Sequence, residues 1–96
     1  MNIPDKIKIG GFEVNVEFVE NLMNDRAHIG EYHPRTQTIK IDKAVTKQQN
    51  EETLIHEILE AITAMYEIEW QHKDLSIMAT VLYQVIRDNP NIFQFN

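Results

Sequence analysis

The spacing of apolar residues changes once along this chain, and that change constrains the fold more than any other feature. Phe12, Val14, Val16 and Phe18 alternate with Glu13, Asn15 and Glu17, the period of a strand with one buried face. Farther on, apolar positions recur as Leu54, Ile55, Ile58, Leu59, Ile62, Met65 and Tyr66. That is helical spacing, and at about 100° per residue it fills one side of the cylinder. The first part of the chain therefore reads as sheet and the second as helix.

Finer signals divide each part. Residues 6–9 and 12–19 read as two strands, with Gly10-Gly11 supplying the positive φ angles of a two-residue hairpin. Residues 21–27 read as a loop. Residues 29–32 and 36–42 read as two more strands joined at His33-Pro34-Arg35, with Ile39 and Ile41 facing the core. Thr46 followed by Gln49 is a capping-box pattern that starts a helix at Lys47. A second helix is expected over 72–87, with Leu75, Met78, Ala79, Leu82, Val85 and Ile86 inward, stopped by Asn89-Pro90. Trp70 and Tyr66 are expected to close the core under the helix connection. Strands followed by helices predict an α+β fold: a small antiparallel or mixed sheet of about four strands, then two packed helices.

At 96 residues the chain fits a single domain spanning 1–96, with one core and about 65% of its unfolded surface buried. No linker, repeat or low-complexity segment breaks it. There is no Cys, so any metal must be held by His, carboxylate or water. No apolar run approaches the roughly 20 residues of a membrane span, and the start Met1-Asn2-Ile3-Pro4-Asp5 lacks a signal peptide's pattern, so a cytoplasmic protein without membrane contact is expected. The net charge of -6 opposes nucleic-acid binding. Between Gln48 and His72 there is no Lys or Arg, while Glu51, Glu52, Glu57, Glu60, Glu67 and Glu69 fall within that stretch. Such a run is usually a solvated helix face, but it suits a cation or a basic partner.

His56 and Glu60 stand four apart, so on a helix they reach one ion from the same face. Zinc accepts imidazole and carboxylate together, and catalytic sites add a third protein ligand while keeping a position for water. Glu57, turned about 100° around the axis, could approach that water as a general base. His, Glu, Thr and Glu at 56, 60, 63 and 67 are equally what the polar side of an amphipathic helix carries without function.

The segment Thr53-Leu54-Ile55-His56-Glu57-Ile58-Leu59-Glu60-Ala61 resembles the active helix of small zincin-like metallopeptidases encoded by phages and mobile elements, whose pattern is T-L-x-H-E-x-x-H-A. Upstream, Gly30-Glu31-Tyr32 and Thr36 to Asp42 are similar to that family's strand bordering the substrate cleft. Downstream, Ala79 to Pro90 resembles its closing helix, L-A-x-x-L-Y-x-V-L-x-D-N-P. The likeness covers about two thirds of the chain. It implies a zinc site with His56 and Glu60 as ligands, Glu57 as the catalytic base and, in the host cell, a cytoplasmic location.

This chain departs from the pattern at Glu60, which stands where the family has its second histidine. The family's third ligand is a carboxylate near the start of the closing helix, where this chain offers His72, with Asp74 as the fallback and Ser76 a poor ligand. Three functions follow as expectations: a catalytically silent zincin-like module binding a peptide or protein partner, which the missing histidine favours; an active zinc peptidase with its substrate along the strand ending near Asp42; and an acidic decoy imitating nucleic-acid charge. His28 and His33 are further candidates for the cleft wall, and Asp88-Asn89-Pro90 reads as a helix stop.

Overall fold

The computed structural model describes residues 2–22 and 29–95. Strands β1 (Lys6–Ile9), β2 (Phe12–Val19), β3 (Gly30–His33) and β4 (Thr38–Asp42) precede helices α1 (Lys47–Tyr66) and α2 (His72–Asp88) and a 3₁₀ turn at Pro90–Phe93. This is the expected α+β architecture, and the sheet is mixed. Its order is β1-β2-β4-β3. β1 and β2 form the antiparallel hairpin, with Ile9 opposite Phe12. β2 pairs in parallel with β4, Val16 opposite Ile39, and β3 closes the sheet antiparallel to β4.

Two turns differ from expectation. Of the two hairpin glycines only Gly10 takes a left-handed φ, +58°, as when glycine holds the first position of a type II′ turn. The hydroxyl end of Tyr66 occupies the space where a Cβ on residue 10 would stand. Tyr66 therefore covers the hairpin and stays 53% exposed, as Trp70 does at 45%, so neither closes a core under the helix connection. The β3–β4 turn is longer than His33-Pro34-Arg35. It runs to Gln37, whose φ is +47°, and β4 begins only at Thr38. Most of the loop expected at 21–27 lies outside the described residues.

α1 crosses the sheet over β1, β3 and β4, while α2 packs chiefly on α1. The apolar side of α1 is accordingly split. Leu54 and Ala61 join Val14, Val16, Ile39 and Ile41 in the sheet core. Ile55 turns the other way, against Ala79 and Tyr83 of α2. Of the four alternating residues of β2, Val14 and Val16 are buried, but Phe12 and Phe18 are exposed because they lie beyond the helix's cover. Met78 is likewise exposed, and Tyr83 takes an inward place, its hydroxyl donating to Glu51 Oε1 at 2.7 Å.

Helix ends explain the placement of α1. Thr46 Oγ1 accepts from the Gln49 backbone N–H at 3.2 Å, and Gln49 Oε1 accepts from the Thr46 N–H at 3.0 Å, which completes the capping box. At the other end Glu67 is left-handed, φ +55°, and Ile68 N–H donates to Thr63 O at 3.0 Å. That reversal turns the chain back so that His72, the first residue of α2, returns beside α1. Asn89 stops α2 by donating its side-chain amide to Val85 O at 3.0 Å, while Asp88 instead accepts from Gln84 and Arg87.

Candidate metal centre and its cleft

The strip of α1 between its two apolar sides carries the chemistry. His56 and Glu60, one helical turn apart, face the first turn of α2. Glu60 Oε1 lies 3.4 Å from His56 Nε2 and 3.3 Å from His72 Nδ1. The two imidazoles stand 5.0 Å apart between centroids and tilt 59°. One ligand atom from each of His56, Glu60 and His72 lies within 4.8 Å of the others, so the group could hold a metal ion. Zinc with ligand bonds of about 2.0 to 2.1 Å in tetrahedral geometry sets its ligand atoms about 3.3 Å apart, close to the two spacings through Glu60. Asp74 does not belong to this group.

The electrostatics suit a ligand set. Burial lowers the pKa of His56, and His72 pushes it the same way against the opposing pull of Glu60. The imidazole is thus neutral near pH 7, the form that coordinates a cation. Glu57 behaves oppositely. It is 6% exposed, and burial first, then the negative charges of Glu60 and Glu31, push its carboxyl up to about 7. No hydrogen bond to it is formed among the described residues.

A cleft of about 720 Å³ opens beside the group, between β3 and α1. Glu31, His33, Glu57, Glu60 and His72 are on its wall. Among the described residues β3 is an edge strand of the sheet, as β1 is on the far side, whereas β4 is flanked by β2 and β3. A chain lying in the cleft would therefore follow β3, not the strand ending at Asp42. Gly30 makes the close approach of β3 to α1 possible. A Cβ there would collide with the Thr53 methyl and stand 3.2 Å from Glu57 Cγ and Oε2. His33 Nε2 and Glu31 Oε1 are 2.9 Å apart, a pair visible in the sequence only as an i, i+2 spacing on one strand. His28 lies outside the described residues.

No family model, curated protein or solved structure matches this chain. The donor set fits zinc: two imidazoles and one carboxylate, with a second, buried carboxylate alongside. No helix among the described residues is long and apolar enough to cross a membrane.

Proposed function

We propose that this chain is a zinc-dependent, peptidase-like hydrolase in which His56, Glu60 and His72 would hold the ion and Glu57 serves as the general base. The convergence of two imidazole nitrogens, one from each helix, on Glu60 Oε1 carries this reading. Glu60 by itself weakens the case for catalysis, because a carboxylate in place of imidazole adds negative charge. His72 offsets it: the set still contains two imidazoles and one carboxylate, with the two types exchanged between α1 and α2 relative to the resembling family.

Zinc bound in such a set supplies Lewis acidity, polarising a carbonyl and bringing the pKa of water near 7. Glu57 would take the proton from an attacking water and return it to a leaving amine, a role supported by its position on the cleft wall and its pKa of about 7. Gly30 keeps space for that carboxyl, and β3 would offer an edge that is unpaired among the described residues to an extended substrate.

A binding module without turnover is the second reading, supported by the 77% exposure of the His72 side chain, which leaves the third ligand weakly anchored. The acidic decoy has less support, because Glu51 and Glu57 are buried and the run of carboxylates does not form one surface.

Hydrolysis of an unstructured protein such as casein, by zinc-loaded wild type and Glu57→Gln, separates these readings. Turnover in wild type that falls by about 100-fold or more in Glu57→Gln, with zinc still bound, supports the hydrolase. Zinc binding without turnover would leave the binding module.

A further inference from the structure

α2 carries more apolar surface than its contact with α1 covers. Its inward side, Leu75, Ala79 and Tyr83, is buried. Ile77, Met78 and Val81 are instead 54%, 44% and 53% exposed, and at about 100° per residue they lie roughly 150° around the axis from that inward side. Val85, one turn beyond Val81 and partly exposed, continues the stripe. Positions 77, 78, 81 and 85 have the spacing of a helix face that packs on another helix. Within the chain α2 packs chiefly on α1 and on the 3₁₀ turn that follows it, so this face is left uncovered. The three most exposed side chains together bare roughly 300 Å² of apolar surface, a size at which a patch is often a functional contact. Both ends of the stripe are mixed in sign, with Lys73 and Asp74 in the first turn of α2 and Arg87 and Asp88 in the last.

We infer that this face of α2 binds the same face of a second copy of the chain, the two helices running antiparallel with Val81 near the twofold axis. Such a pairing is isologous. It sets Ile77 opposite Val85 of the second copy and brings the Lys73–Asp74 end beside the Arg87–Asp88 end, so that carboxylates meet cations at both ends. Parallel pairing would set like charges beside like and align the two helix dipoles. α2 has 17 residues, a length of about 25 Å. Paired along that length, the two copies would bury about 1,000 Å² in total, the low end for a specific interface, and a dimer with Kd of about 10 to 100 μM is expected. The stripe faces away from α1, so the pairing leaves the cleft open and does not depend on the proposed metal.

The test is sedimentation equilibrium of the full chain from about 1 μM to about 1 mM, in chelator so that no ion bridges exposed histidines. Wild type is expected to pass from monomer to dimer across that range. Val81→Asp, with an unchanged circular dichroism spectrum, should stay monomeric. Phe12→Ser, which removes an exposed apolar side chain from the hairpin, should dimerise like wild type. The chain has no Cys, so single cysteines report the geometry even if Val81→Asp fails to fold. Under mild oxidation Val81→Cys should cross-link to itself, Ile77→Cys alone should not, and Ile77→Cys mixed with Val85→Cys should, because a disulfide forms only where the paired backbones come close. Monomer at every concentration, a dimer unaffected by Val81→Asp, an equal loss in folded Phe12→Ser, assembly beyond two chains, or cross-linking of Ile77→Cys with itself would each overturn the inference.

Discussion

At the scale of single residues, the sequence showed the donors but not their neighbours. That His56 and Glu60 share one face could be read from helical spacing, because that signal lies within one segment, and the structure groups them with His72. Gly30 and Glu31 acquire their roles only when β3 meets α1, a contact between residues far apart in the chain that no local period encodes. Gly30→Ala is a direct check on that contact. The added methyl must displace Thr53 or the β3 backbone, which should cost about 1 to 3 kcal/mol in urea unfolding; a change under about 0.5 kcal/mol would mean that the approach is looser than described. Glu51 offers a pH test away from the metal group. The Tyr83 hydroxyl, the largest influence on it, lowers its pKa from 4.5. A depressed carboxylate adds stability above its unfolded pKa and loses it as pH falls through the folded value. Tyr83→Phe should therefore be less stable than wild type at pH 6, and the difference should shrink between about pH 5 and pH 3. A difference that stays constant down to pH 3 would show that the hydrogen bond does not govern the titration.

At the scale of elements, local chemistry was legible where one residue sets a boundary. Thr46 and Gln49 gave the start of α1 to the residue, and glycine marked the hairpin. The end of α1 was harder to read, because it is made by Glu67 in a left-handed conformation that favours glycine and gives no sequence signal when another residue adopts it. Glu67→Gly should relieve that strain and stabilise the fold by about 0.5 to 1 kcal/mol in urea melts. Destabilisation would indicate that the Glu67 side chain contributes more than its backbone costs. The apolar pattern of α1 also hid a division, since a helix packed between a sheet and a second helix needs two apolar sides. Spacing alone does not tell one wide stripe from two. This division sets His56 and Glu60 toward α2 and Glu57 toward β3.

At the scale of the molecule, the order of strands before helices sufficed for the fold class, whereas the crossing from β2 to β4 that makes the sheet mixed depends on pairing between distant segments. It also puts β3, not β4, at the edge beside the cleft, and so decides where a substrate chain could lie. The sheet core that supports the arrangement centres on Ile39 and Ile41, both fully buried. Ile39→Ala should cost about 2 to 5 kcal/mol and lower the stability of the whole chain in one transition, as monitored together by circular dichroism and Trp70 fluorescence. Two separate transitions would mean that the α1–α2 pair is stable apart from the sheet. The fold holds one turn of α1 against the start of α2. The most direct measurement of that is calorimetric titration of chelator-stripped protein with zinc, for wild type, His56→Ala and His72→Ala. One ion per chain, with affinity reduced at least tenfold by each substitution, is the expected result; zinc uptake that neither substitution changes, or none at all in wild type, would contradict it.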